Sequence, residues 1–194
     1  MTRRGMRWTG GLAAALLGMA LGAGCSSTEM KDTWTDPSAQ GARLSRVVVI
    51  AMTPDEGVRR LAEDEFVRQI KGAQVVPSYK ALEGVDLRDR QAVANQLRAR
   101  GFDGVLVMRL AGISEQVQPV AFDDYYDYAY RTEFGPEVES QTIVRVQSNL
   151  YSLDRGKLIW SGTSKTFDPS SAKDVVDDVS RAVAKSLEKK GLIA

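Results

Sequence analysis

The sequence predicts an α/β fold: a single domain in β-α-β-α-β-β-β-α order, with helices packed on a mixed sheet. Three observations carry this expectation. In the first half, short β-branched runs alternate with stretches of helical period. In the second, two strands of period 2 flank a tight turn, and the chain closes with an amphipathic helical pattern. Alternating strands and helices with short links call for parallel strands joined by helical crossovers, whereas a tight turn between strands calls for an antiparallel pair.

The elements follow in order. "RVVVIAM" (46–52) is a β-branched run stopped by Thr53-Pro54, the pattern of a buried strand. Pro54 suits the first turn of a helix, and Asp55 and Glu56 suit its positive end. Val58, Leu61, Ala62, Phe66 and Ile70 then recur at helical spacing, and Gly72 stops the helix. Arg60, Asp64 and Arg68 mark its solvated side. The "EDE" at 63–65 is expected on the surface, because successive helical residues point in different directions.

"AQVVPSY" (73–79) reads as a second strand ended by Pro77, and 87–100 as a second helix with Val93, Ala94 and Leu97 inward. Gly101 caps that helix and "FDGVLVMRLAGI" is the third strand. The glycines at 101 and 104 do not form a GxGxxG pattern, so nucleotide binding is unsupported. "ESQTIVRVQSNLYSL" (139–153) places Thr142, Val144, Val146, Ser148 and Leu150 on one face. Asp154-Arg155-Gly156-Lys157 is a turn, and "LIWSGTSKTF" (158–167) returns as the paired strand, with Trp160 in the core. A last helix opens near Ser170-Ser171, keeps Val175, Val176, Val179, Ala182, Val183 and Leu187 in register, and ends at Gly191.

Ahead of this domain, residues 1–24 hold Arg3, Arg4 and Arg7 and no acid, then the apolar run Leu12–Leu21. A basic start, a short apolar middle and a small-residue exit are the parts of an export signal. The run is shorter than the roughly 20 residues that a spanning helix needs. Residues 25–45 are largely polar, with Pro37 and Gly41, and read as a tether whose one aromatic residue is Trp34. Trp34 is either a partner contact or an indole that packs where the chain joins the domain.

Composition excludes several chemistries. The whole chain has 26 Lys+Arg and 25 Asp+Glu; without the signal's three arginines the balance is 23 to 25, which offers nothing for nucleic acid. There is no histidine and only one cysteine, Cys25. Ser-His-Asp and Cys-His sites, His metal ligands, thiolate zinc sites and disulfides are therefore ruled out. Neither a catalytic residue nor a metal site is assigned.

Residues 121–137 ("AFDDYYDYAYRTEFGPE") gather Tyr125, Tyr126, Tyr128 and Tyr130 with Asp123, Asp124 and Asp127. Aromatics mixed with acids at no clean period indicate a long loop or splayed hairpin. Such a loop suits recognition of a protein partner or, with aromatic platforms between carboxylates, a glycan; otherwise its tyrosines fold back on the sheet.

Leu21-Gly22-Ala23-Gly24-Cys25 resembles the lipobox of bacterial lipoprotein precursors, with small residues ahead of the thiol. The family usually places Leu three residues before the cysteine; here Gly22 holds that position and Leu21 lies one further out. The resemblance implies that Cys25 becomes the new amino terminus, carrying a diacylglycerol thioether and an N-acyl group. It also implies that Ser26, where Asp often marks inner-membrane retention, directs the protein to the periplasmic face of the outer membrane. At about 0.8 kcal/mol per buried methylene, several acyl chains make such an anchor effectively permanent.

The element order, "RGFDGVLVMRLAG" (100–112), "TWTDP" (33–37) and "GKLIWSG" (156–162) resemble a group of small envelope lipoprotein domains. The group includes the TolB amino-terminal domain, the activator lipoproteins of penicillin-binding proteins and the curli-secretion lipoprotein. That resemblance implies a non-catalytic interaction or envelope-assembly accessory, held by its lipid and meeting an envelope protein or peptidoglycan. The alternative is a carboxylate-dependent enzyme acting on cell-wall glycan. No cofactor is expected besides the covalent lipid.

Overall fold

The computed structural model describes residues 27–39, 41–119 and 138–193. Cys25 and the whole Tyr/Asp segment, with Asp123, Asp124, Tyr125, Tyr126, Tyr128 and Tyr130, lie outside the described residues. The strands are β1 (Ser27–Thr35), β2 (Arg46–Met52), β3 (Gln74–Pro77), β4 (Gly104–Pro119), β5 (Val138–Ser152) and β6 (Lys157–Phe167). The helices are α1 (Glu56–Gln69), α2 (Ser78–Ala81), α3 (Arg90–Ala99) and α4 (Ala172–Lys189). The strands form one mixed sheet in the order β1-β6-β5-β4-β2-β3. β2 is parallel to β3 and β4; the β4–β5, β5–β6 and β1–β6 pairs are antiparallel. The α/β class and the mixed sheet expected from the sequence are what the structure shows.

The apolar run in β2 has a simple cause. Val47, Val49 and Ala51 pack into one core with Ala62 and Phe66 of α1 and Val179, Val183 and Leu187 of α4. Val48 and Ile50 point the other way, into a second core with Ala81, Leu82 and Leu97 of the α2–α3 side. A strand covered on both faces needs no polar alternation. Helix starts are set by side chains. Asp55, Asp89 and Ser171 each accept from backbone N–H groups of the first turn of α1, α3 and α4.

Asp103 sets the junction between β2 and β4. Its carboxylate accepts from Ser45 N–H (2.8 Å), Ser45 Oγ–H (2.8 Å) and Arg46 N–H (2.9 Å). Arg46 in turn donates to the Arg100 carbonyl (2.6 Å), its guanidinium 4.7 Å from the Phe102 ring centre. The "GFD" stretch therefore brings the end of α3 and the start of β4 against the start of β2.

Residues 27–35, expected within the tether, instead form the edge strand β1, paired with β6 from Ser27↔Phe167 to Thr35↔Trp160. An edge strand needs few apolar residues, because its backbone is satisfied by one neighbour and its outer side by water. The inward signal is Thr28, bonded to Thr166 (2.7 Å), Met30, packed on the core, and Thr35, opposite the buried Trp160. Ala39 and Leu44 are buried too, so the segment up to β2 belongs to the domain.

Trp160 is fully buried, and Gly162 lies against it. A Cβ at Gly162 would sit 2.8 Å from the indole and 2.6 Å from the Met30 terminal methyl. Gly162→Ala is expected to lower stability by about 1–3 kcal/mol through overpacking, read as a fall in the midpoint of thermal or urea denaturation.

Candidate functional site

β4 and β5 form a hairpin longer than the helices that cover it. On the α1/α4 side, Leu106 and Met108 of β4 and Leu150 of β5 are buried in the first core. A bulge between Leu110 and Gly112 then shifts the pleat by one residue, so Leu110 and Ile113 share that side. Beyond Leu110 the strand runs past the starts of α1 and α4, and the described residues leave the sheet face partly uncovered.

The result is an apolar groove of about 460 Å³. Its floor is Met108, Leu110, Val144 and Val146; one wall is Val58, Ala62 and Phe66 of α1. Val175, Val176 and Val179 of α4 form the other, and Met52 closes the end of β2. Arg109 is the one charged residue among the described residues that line it, and its guanidinium bonds Gln147 on the opposite face of the strand pair. The size falls within the range of about 300–1,000 Å³ common to small-ligand sites, and the lining suits an acyl chain, an apolar side-chain cluster or a similar hydrophobic group. The groove continues onto an exposed stripe: Ile113 is 63%, Val117 62% and Val138 57% exposed.

Beside the groove, α1 carries a buried carboxylate. Glu63 is fully buried; its Oε1 accepts from Ala51 N–H (3.1 Å) and Ser78 Oγ–H (2.7 Å), and its Oε2 from Ser78 N–H (2.8 Å). Burial pushes its carboxyl above the ordinary value of 4.5, against the pull of the Ser78 hydroxyl, the two N–H donors and Arg59. The expected surface location of "EDE" is thus corrected. Asp64 is exposed and bonds Tyr79 Oη (2.7 Å), but Glu63 is interior. Glu65 is also buried, with Arg68 and Gln69 on its oxygens. Every oxygen of Glu63 has a structural partner, so it ties elements together and does not face the groove.

Of the residues singled out from the sequence, Trp34 is the one that falls within the described part. It lies on β1 opposite Ser161, past an irregularity between Lys31 and Trp34, and is 47% exposed. It is on the edge strand and is not a lining residue of the groove. The groove residues themselves were missed as a site, because each reads locally as core. The signal available was the length of the third apolar strand relative to the helices that could cover it.

No family model matches the chain, and no curated protein matches it. Among solved structures, it is similar to the PelC dodecamer from Paraburkholderia phytofirmans, at 18% identity over 87% of this chain and 100% of that one, with a TM-score of 0.47. It is also similar to lipoprotein GNA1162 from Neisseria meningitidis, at 19% identity over 75% of this chain and 99% of that one, with a TM-score of 0.40. Likeness at this level carries no argument about function.

The Glu63 geometry has a pH signature. A carboxyl whose folded pKa lies above its unfolded one contributes stability that is complete below the unfolded value and is lost as pH rises through the folded value. Glu63→Gln does not titrate and turns an NH₂ toward the Ser78 or Ala51 N–H, at a cost of about 1–3 kcal/mol. The stability gap between wild type and Glu63→Gln is expected to be widest below pH 4.5 and to narrow at higher pH. Urea denaturation across pH checks this, and a constant gap would contradict it.

Proposed function

We propose that this protein is a lipid-anchored accessory of bacterial envelope assembly, held at the periplasmic face of the outer membrane, and that it works by binding an apolar group rather than by catalysis. The observation that carries the binding role is the α1–α4 groove, whose described lining is apolar apart from Thr53, Arg109 and Ser171 and which opens where the sheet outruns its helices. Apolar surface left open on a folded domain of this size marks a place where something else docks. The anchor rests on the sequence: the export signal and the lipobox-like run before Cys25. The tyrosine segment and Trp34 are further candidate contacts for an envelope protein or for peptidoglycan.

A groove of this kind acts by complementarity. Burying one Leu- or Val-sized side chain contributes about 1.5–3 kcal/mol, so a single charge placed in the lining is enough to weaken binding tenfold or more. Ser171 caps α4 beside the groove, and the start of α1 bounds it on the other side, so its walls are fixed by helix starts anchored in the domain. The groove is therefore preformed, which lowers the ordering cost of binding.

Two experiments test this reading. Cys25→Ala is expected to leave an unprocessed precursor or a protein outside the membrane fraction; normal processing and fractionation would remove the anchor. Leu110→Glu and Val176→Glu, each checked by circular dichroism, are expected to weaken binding of an apolar fluorescent probe about tenfold. In the envelope they should also remove crosslinks formed from a photoreactive residue at Met108. Probe affinity and crosslinks equal to wild type would overturn the binding role of the groove.

A further inference from the structure

Because residues 27–35 form a strand, the spacer between the lipid and the folded domain is much shorter than a 20-residue tether. Only Ser26 separates Cys25 from Ser27, the first residue of β1. Two residues reach at most about 7 Å when fully extended. The register shows which end of the sheet this is. Ser27 lies opposite Phe167, Phe167 opposite Ile143, and Ile143 opposite Ser114. From that row β1 runs inward to Thr35, whereas the β4–β5 ladder continues outward through five more pairs to Pro119↔Val138. At about 3.4 Å per residue, the arm projects roughly 17 Å past the row. An anchor with a reach of about 7 Å is shorter than the arm that stands beside it.

We infer that the exposed face of the β4–β5 arm from Ile113 to Val138 is a second membrane contact, seated in the headgroup layer beside the Cys25 lipid and holding the domain in one orientation. This rests on the lipidation of Cys25 proposed above. The side chains suit the place. Ile113, Val117 and Val138 lie on one face of the arm by strand alternation and are each more than half exposed. Glu115 lies on the same face between Ile113 and Val117 and is exposed, as are the neighbouring Ser140 and Glu139. A carboxylate in the stripe is costly in hydrocarbon but tolerated among headgroups, where apolar side chains reach about 5–10 Å into the boundary. The contact is interfacial, and the groove then opens at the membrane-facing end of the domain.

The test uses the processed, lipidated full chain in vesicles of phosphatidylethanolamine and phosphatidylglycerol. The sulfur of a lipidated Cys25 is a thioether, so a cysteine introduced by Val117→Cys, Val138→Cys or Asp154→Cys is the only free thiol to carry a fluorophore. Headgroup-level spin-labelled lipid is expected to quench the labels at 117 and 138 several-fold more than the label at 154, in the opposite turn, with 138 quenched at least as much as 117. Mass spectrometry of the same sample reads the lipid on Cys25. A chain without that lipid overturns the anchor and this inference together. A lipidated chain whose labels at 117 and 138 are no more quenched than that at 154 overturns the inference alone. Label burial that grows with protein concentration and without lipid quenching would assign the face to a second copy, and would also overturn it.

Discussion

A single buried carboxylate joins the parts that the groove depends on. Glu63 projects from α1, takes the Ala51 N–H of β2 on one oxygen, and holds the hydroxyl and N–H of Ser78 where β3 turns into α2. Three segments distant in sequence are thereby fixed around one side chain. Desolvating the charge is costly, and the hydrogen bonds offset that cost only while all partners stay in place. Such a site favours one arrangement of α1 on the sheet over its sliding alternatives. Because Ala62 and Phe66 flank Glu63 on α1, the same constraint positions one wall of the groove.

The groove itself comes from a mismatch of lengths. β4 and β5 pair from Gly104↔Ser152 to Pro119↔Val138, and α1 and α4 cover only part of that ladder. Where cover stops, the pleat continues to put apolar side chains on the same face, and the bulge at Leu110–Gly112 keeps Ile113 on it. Nothing in the local backbone distinguishes Leu106, fully buried, from Val117, more than half exposed. What distinguishes them, among the described residues, is the helix above one and none above the other.

Several elements were legible because their signals are local. The unbroken apolar run of β2 announces a strand with two covered faces, and Val48 and Val49 do face opposite cores. Asp55 and Ser171 announce helix starts, and Gly156 and Gly191 adopt positive φ where a turn and a helix end were read. β1 was not legible. Thr28, Met30 and Thr35 are its inward side chains, and the rest of its stabilisation is backbone pairing with β6, which leaves little trace in composition. Glu63 was misread for a related reason. Helical period places it at the margin of the apolar face, and its donors come from residues 12 and 15 positions away. Of the candidate site, the sequence pointed to Cys25, Trp34 and the tyrosine segment, whereas Leu110, Val144 and Val176 read as ordinary core.

By itself the sequence determined the fold class, the order of the central elements, and the exclusion of histidine and disulfide chemistry. Each of these depends on residue type or on spacing along the chain. Tertiary structure decided that residues 27–35 are a strand instead of a spacer, that Glu63 is interior, and that apolar residues of β4 and β5 line an open groove. Each of these depends on what lies above or beside a residue in space, and strand pairing and helix cover join segments that no short window of sequence contains.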